Sequence, residues 1–174
     1  ILEILKQYGV SSIELGAQSM SDKVLEANER GHSAKDVKKA SLLIKQYGFE
    51  LGHQMMIGLP ESTRLDELNT ARDLAKLKPK IVRLYPVLVI KNTELEEEYK
   101  NGEYEPVTIN QAVEVCKELS YFFEKKKIKV IRIGLQNTDL ISNPENVESE
   151  VVAGPYHEAF GQLVEDSIWY DKIL

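Results

Sequence analysis

Hydrophobic and polar positions follow two periods along the chain, and each period predicts its own kind of element. Apolar side chains spaced three to four residues apart predict helices over residues 1–8, 22–28, 33–47, 63–78, 108–125 and 156–173. Stretches in which every second residue is apolar predict strands over residues 12–18, 49–57, 81–90 and 128–135. Between these elements, residues 92–102 predict a short helix with a turn, and the polar stretch 137–150 predicts a loop. Strands separated by helices favour a parallel sheet whose right-handed crossovers curl it toward a barrel.

Each predicted strand has one polar face. Apolar residues such as Ile131, Ile133 and Leu135 of the last strand are expected to lie under the helices. The opposite faces carry Glu14, Gln18, Gln54, Arg83, Tyr85, Arg132 and Gln136. A closed barrel filled with branched apolar side chains would not have this pattern. We therefore expect a half-barrel that binds a large polar ligand at the carboxyl ends of its strands. The alternative is an antiparallel or edge-exposed sheet with one wet face.

Composition narrows the class of protein. The chain has 174 residues, 43% hydrophobic and 29% charged, with a net charge of −6, which is typical of a folded globular domain. No apolar run approaches the roughly 20 residues that span a bilayer, so no membrane partner is expected. The acidic balance argues against a broad nucleic-acid-binding face. The basic stretch 125–129 is interpreted as a solvated helix end, with a phosphate or tRNA contact as the alternative.

Several motifs occur in a fixed order along the chain: residues 13–19 read IELGAQS, residues 28–32 read NERGH, residues 54–60 read QMMIGLP, and residues 83–95 read RLYPVLVIKNTEL. In sequence and spacing they resemble the radical S-adenosylmethionine (SAM) superfamily. The resemblance is to the branch that holds oxygen-independent coproporphyrinogen III oxidase and the catalytic subunit of Elongator. It extends from about Ser12 to Gln136, and the run 152–155 (VAGP) is similar to a segment after the last barrel strand of Elongator-like members.

The resemblance implies roles for individual residues. Gln18 and Arg30 would contact SAM, since an amide can hold hydroxyls and an arginine pairs with the methionine carboxylate. Gln54 stands where the coproporphyrinogen oxidase branch has a ribose-binding Asp, and Met56 would lie beside the adenine. Tyr85 would face adenine or substrate. The other substrate-side residues would be Arg132 and Gln136.

One departure from the family concerns the iron–sulfur cluster. The family holds a 4Fe-4S cluster through a C-x3-C-x2-C motif, whereas Cys116 is the only cysteine of this chain and lies in a predicted helix. The expected fold class is therefore α/β, the C-terminal half of a partial (β/α)6 TIM-like barrel with four parallel strands, outer helices and a C-terminal helical extension. We expect residues 1–136 to form this distal half and residues 137–174 the extension.

The function implied is that of part of a radical-SAM enzyme, either an oxidoreductase or an RNA-modifying enzyme. The cofactors would be SAM and a 4Fe-4S cluster that this chain does not ligate, so this part alone is expected to be inactive. Because the sequence begins at Ile1 and not at Met, we expect a missing N-terminal half of the same protein as its partner. The substrate would be tRNA, favoured by the YPVLVI segment, or a small molecule such as a tetrapyrrole. The resemblance implies a cytoplasmic enzyme, and an open sheet edge is expected to allow self-association.

Two other interpretations compete with this one. The first is a different barrel enzyme that uses Glu14 as a base, with a metal or substrate bound in the lumen. The second is a stand-alone, non-enzymatic α/β ligand-binding domain, which would have no affinity for SAM. Among single residues, Cys116 and His53 are predicted to be structural, and His32 is predicted to be an exposed loop residue.

Overall fold

The computed structural model describes residues 1–138, 140–145 and 148–173. Its helices are α1 Leu2–Gln7, α2 Asp22–Ala27, α3 Ala34–Gln46, α4 Arg64–Lys76, α5 Glu94–Asn101, α6 Ile109–Lys125 and α7 Phe160–Ile173. Its strands are β1 Ser12–Gln18, β2 Glu50–Ile57, β3 Ile81–Pro86, β4 Val89–Ile90, β5 Lys129–Ile133 and β6 Val151–Ala153. No helix in the described part of the chain has both the length and the apolar character needed to cross a membrane.

The main sheet confirms the predicted fold class. It has four strands in the order β1-β2-β3-β5, and every neighbouring pair is parallel. The connections between these strands are mainly helical, as right-handed crossovers require. Because the strands are parallel, their carboxyl ends meet at one edge of the sheet, where polar residues of β1, β2 and β3 come together.

Helix boundaries follow the capping residues in the sequence. Ser33, Thr63 and Thr108 each accept a hydrogen bond from the backbone N–H three residues later, and that residue's side chain bonds back to the cap. These capping boxes satisfy N–H groups that the first helical turn leaves unpaired. They fix the starts of α3, α4 and α6 as the sequence predicted.

The core lies between one face of the sheet and the helix layer. Its buried side chains come from all four strands or their ends and from α3, α4, α6 and α7; they include Met55, Leu74, Leu84, Leu119 and Phe123. A smaller cluster with Val24, Leu59, Val87, Val89 and Tyr104 lies beyond the carboxyl ends of β2 and β3. Burial of these apolar faces leaves the other face of the sheet to the polar residues.

The predicted third strand was too long. It ends at Pro86, and the two-residue strand β4 leaves the main sheet to pair antiparallel with β6. The Val87 N–H bonds back to the Ile57 carbonyl, which marks the end of the parallel pairing. Val87 and Val89 are buried in the cluster around Tyr104. The alternation of residues 87–90 alone could not distinguish this arrangement from a longer third strand.

The predicted faces of the last strand were wrong in part. Register between β3 and β5 shifts after the pair Val82 and Val130, so that Arg83 lies opposite Arg132. This irregularity places Val130 and Ile133 against the core and leaves Ile131 37% exposed. One extra residue in a strand reverses the faces that follow it, and sequence alternation does not reveal where that residue is inserted.

Candidate functional site

An ion pair lies at the centre of the polar face of the sheet. Arg83 on β3 donates from Nε to Oε2 of Glu14 at 2.6 Å and from a terminal nitrogen to Oε1 at 3.0 Å. Both side chains are about a quarter exposed, with relative values of 27% and 24%. This two-point contact is strongly directional, since the planar guanidinium matches both carboxylate oxygens.

The ion pair sets the electrostatics of this face. Hydrogen bonding to Arg83 is the largest cause of the lowered pKa of Glu14, and Gln54 adds a weaker contact of 3.4 Å. Arg83 in turn has a raised pKa, chiefly through Glu14 and then through Tyr85. Glu14 therefore stays ionised and paired with Arg83. This disfavours the alternative in which Glu14 is a free general base.

Gln18 has an unusual conformation at the carboxyl end of β1. Its φ is +61°, in the left-handed region, and the register between β1 and β2 shifts at this point. Its side chain turns back over Gly16: a Cβ added there would lie 2.8 Å from the Gln18 Nε2. The Gln18 Oε1 is buried and has no hydrogen-bond partner. A buried amide oxygen without a donor is unusual, and it fits a site that a donating ligand group completes.

The loop that carries Arg30 is tied to the ends of two strands. The Asn28 side-chain amide donates to the Val24 carbonyl at 2.7 Å and to the Pro60 carbonyl at 3.0 Å, which joins the end of α2 to the turn after β2. His32 lies with its ring nitrogens 3.0 Å from the Arg30 carbonyl oxygen and 3.2 Å from the Ala17 carbonyl oxygen. Arg30 itself is exposed, so its guanidinium is available to a ligand beside the end of β1.

The prediction that His32 is an exposed loop residue was wrong. Its side chain is partly buried because the ring reaches back to the Ala17 carbonyl at the end of β1. The sequence placed His32 in the motif NERGH but gave no sign of this contact, because Ala17 lies fifteen positions earlier.

In the turn after β2, both backbone groups of Gly58 are hydrogen-bonded to side chains. The Gly58 N–H donates to Oε1 of Glu67 at 2.7 Å, and the Gly58 carbonyl accepts from the Tyr104 hydroxyl at 2.6 Å. Burial raises the pKa of Glu67 and raises that of Tyr104 to about 12. These contacts fix the turn that follows Met56. Sequence reasoning missed Glu67 and Tyr104, because no motif links either side chain to the backbone of Gly58.

The other predicted site residues occupy different parts of the same face. Met56 is partly buried beside the cluster of Val24, Leu59 and Tyr104, and it lies opposite Tyr85 in the sheet register. Arg132 lies opposite Arg83 on β5. Gln136 is exposed beyond the end of β5. The structure therefore brings Gln54 and Tyr85 together around the ion pair, and it places Gln18, Met56 and Gln136 toward the carboxyl ends of their strands.

Two further residues bear on cofactor chemistry. Cys116 is fully buried in α6, and burial raises the pKa of its thiol. His53 is also fully buried, and its Nε2 lies 2.8 Å from the Ser41 hydroxyl. Within residues 1–138, 140–145 and 148–173, no cluster of His, Cys, Asp or Glu is arranged to hold a metal ion. With Cys116 as its one cysteine, the chain does not fit the three thiolates that hold a 4Fe-4S cluster.

Comparison with known families gives two matches along the chain. Residues 1–74 match the family described as the Radical SAM superfamily. Residues 79–170 match the family described as the Radical SAM C-terminal domain. The first match ends within α4, and the second begins in the loop between α4 and β3.

Curated relatives are similar to the chain over part of its length. A tRNA uridine(34) acetyltransferase of Methanocaldococcus jannaschii is 36% identical over 110 residues, which is 62% of this chain and 20% of the relative. Elongator complex protein 3 of Homo sapiens is 32% identical over 111 residues, again 62% of this chain and 20% of the relative. The aligned part of the chain therefore spans about a fifth of the length of these relatives.

A solved structure extends the similarity to nearly the whole chain. The archaeal Methanocaldococcus infernus Elp3 with an N-terminal deletion superposes with a TM-score of 0.83 at 28% identity. The match covers 98% of this chain and 38% of the Elp3 chain.

Proposed function

Because the chain belongs to the radical SAM superfamily, we propose that it forms part of the SAM and substrate walls of an enzyme that modifies tRNA. The observation that carries the proposal is the left-handed Gln18, whose buried amide oxygen lacks a donor beside the Arg30 loop. Residues 1–136 would be the distal half of a barrel and residues 137–174 its extension.

In this proposal each site residue binds or orients a ligand group. The Gln18 oxygen accepts from a hydroxyl or amino group, and Arg30 pairs with the methionine carboxylate. Met56 provides an apolar wall, and Gln54 is limited in its ribose contact by its bond to Glu14. When bound, SAM supplies the chemistry of hydrogen-atom abstraction, and the chain's own residues position it against the substrate.

The substrate side would be formed by Tyr85, Arg132 and Gln136. The ion pair of Glu14 and Arg83 lies on the same face of the sheet, and the pair itself carries no net charge. Relatives named as a tRNA uridine(34) acetyltransferase and Elongator complex protein 3 support tRNA as the substrate over a tetrapyrrole. Cytoplasmic location, oxidoreductase chemistry and self-association through the open edge of β1 stay predictions.

Cluster binding would depend on cysteines outside this sequence. Cys116 is buried in the core beneath the helices. We therefore predict that the chain by itself binds SAM weakly and does not turn it over. The remaining alternative, a non-enzymatic ligand-binding domain, predicts no SAM binding at all.

Titration of the full chain with SAM, followed by amide chemical shifts in NMR spectra, tests the proposal. Shifts are expected at Gly16, Gln18 and the 30–32 loop. Arg30→Ala should weaken binding about tenfold, because it removes a charge-assisted hydrogen bond. Gln18→Gly removes the amide and also tolerates the left-handed backbone, so it should weaken binding without strain.

Arg64→Ala is the matched control. Arg64 pairs with Glu118 on the helix layer, so its loss should leave SAM affinity unchanged. An absence of shifts at the strand ends, or equal affinities for the Arg30 and Arg64 variants, would contradict the proposed site.

A further inference from the structure

We propose that a basic groove at the amino-terminal end of the sheet binds the phosphodiester backbone of RNA. The groove has a volume of about 690 Å³ and lies between the C-terminal ends of α4 and α6. Its charged lining residues are all cationic: Arg72, Lys76, Lys78, Lys126 and Lys127. Its remaining lining residues are apolar: Ala75, Pro79, Phe122 and Ile128. The proposed SAM site lies at the opposite end of the strands.

The positive charge of the groove is opposite in sign to the net charge of the chain. The chain as a whole carries a net charge of −6, yet no carboxylate lines the groove. Lys76 pairs with Asp73 at 2.6 Å, and Arg72 donates to the Asn69 side chain at 3.0 Å. Within the described residues, Lys78 and Lys127 have no side-chain hydrogen bond and no ion pair.

The backbone at these two lysines is unfavourable for a residue with a Cβ. Lys78 has φ +52° and Lys127 has φ +59°, and each follows the C-cap of its helix. Glycine occupies left-handed positions of this kind at the ends of α1, α3 and α5, namely Gly9, Gly48 and Gly102, whereas Glu29 occupies the one after α2. Lysine at both helix ends that border the groove therefore has a cost that glycine would avoid.

Helix capping does not account for Lys78. A cation near a helix C-terminus can stabilise the last carbonyl groups. At α4 that role belongs to Lys45, whose ammonium donates to the Leu77 carbonyl at 3.0 Å. The Lys78 side chain is exposed beside it and makes no such bond.

The groove also has apolar lining residues, which a site that binds only simple counter-ions would not need. Phe122 lies partly buried between the cations, with the Lys126 ammonium 6.0 Å from its ring centroid. An aromatic surface flanked by cations can accept a base while the cations hold adjacent phosphates. RNA is chosen as the polyanion because the inference rests on the proposed tRNA-modifying function. The groove itself does not depend on SAM binding.

Binding of a fluorescein-labelled 20-nucleotide oligouridine to the full chain, measured by anisotropy at several salt concentrations, tests the groove. The variant Lys78→Gly, Lys127→Gly removes two cations and places glycine at two left-handed positions, so it is expected to keep the fold. Loss of two phosphate contacts should weaken binding roughly twentyfold at about 0.1 M salt and lower the log–log salt slope by about 1.4.

The control is Lys38→Gln, Lys39→Gln, which removes the same charge from exposed positions of α3. It should keep the wild-type salt slope. The inference is overturned if the chain does not bind the RNA at low salt, or if the two double variants bind it equally. It is also overturned if poly-glutamate binding, and not RNA binding, depends on the groove lysines.

Titrating the Lys78→Gly, Lys127→Gly variant with SAM separates the two proposals. Unchanged SAM binding with weakened RNA binding supports both sites. RNA binding that depends on the groove, in a chain that does not bind SAM, would support the groove and contradict the proposed SAM site.

Discussion

Glu14 and Arg83 form a two-point ion pair between strands that are not neighbours. Glu14 lies on β1 and Arg83 on β3, and the pair spans β2 near Gly52. The absence of a side chain at Gly52 makes room for it, because a Cβ there would lie 2.7 Å from the Glu14 Cγ and 2.8 Å from the Ile81 Cγ1. Gly52 on β2 therefore leaves the space in which the side chains of Glu14 and Arg83 pair across the strand.

Gly52→Ala should therefore destabilise the fold by about 1–3 kcal/mol, because the added methyl forces Glu14 or Ile81 to move. Chemical denaturation measures this free energy. Gly16→Ala is the contrast, since its Cβ would meet only the flexible end of Gln18 at 2.8 Å. It should change stability little and weaken SAM binding; a larger stability loss at Gly16 than at Gly52 would contradict this account.

His53 should make stability depend on pH. Burial lowers its pKa to about 4, while the unfolded chain has the ordinary value of 6.5. The unfolded state therefore binds more protons between these values, and stability falls as pH decreases from 6.5 toward 4. The loss from this residue is up to roughly 3 kcal/mol, and it is fully regained above pH 6.5.

Urea denaturation of the wild type and of His53→Gln at several pH values measures this effect. Carboxylates contribute equally to both proteins, so the difference between their free energies of unfolding isolates His53. A difference that is constant from pH 4 to pH 7 would show that His53 does not titrate as its burial requires.

Glu67 should act as a hydrogen-bond acceptor more than as a charge. Glu67→Gln retains an oxygen for the Gly58 N–H and removes a carboxyl whose pKa burial raises, so we expect little loss of stability. Glu67→Ala leaves the Gly58 N–H unpaired and should cost about 1–3 kcal/mol. Equal losses for the two variants, measured by thermal and chemical unfolding, would indicate that the charge is essential.

His32→Ala should release the Arg30 loop from the end of β1. The ring lies within 3.0 Å of the Arg30 carbonyl and 3.2 Å of the Ala17 carbonyl, so its loss removes the link between them. We expect faster amide hydrogen exchange at residues 30–32 and SAM binding weaker by about fivefold, with the fold retained. His157→Ala is the control, because His157 caps the start of α7 and is remote from the loop in sequence. Unchanged exchange in the loop would exclude a positioning role for His32.

The sequence predicted the main four-stranded sheet better than the segments that follow the ends of its strands. Capping boxes at Ser33, Thr63 and Thr108, together with alternating strands, were enough for the order of elements and the parallel sheet. The departure of β4 after Pro86 was missed, because its partner β6 lies some sixty positions later. The order of the motifs gave the candidate residues Gln18 and Arg30, but no local pattern predicted the Ala17 contact of His32.

The sequence by itself determined the period of each element, its caps, and the polar residues of each strand, since these depend on neighbours a few positions apart. Only the tertiary structure decided the pairing of Glu14 with Arg83, the burial of the Gln18 amide oxygen, and the groove that Lys78 and Lys127 both line. Each of these depends on strand register or helix packing between segments far apart in the chain. A single bulge, such as the one in β5, changes which side chains meet.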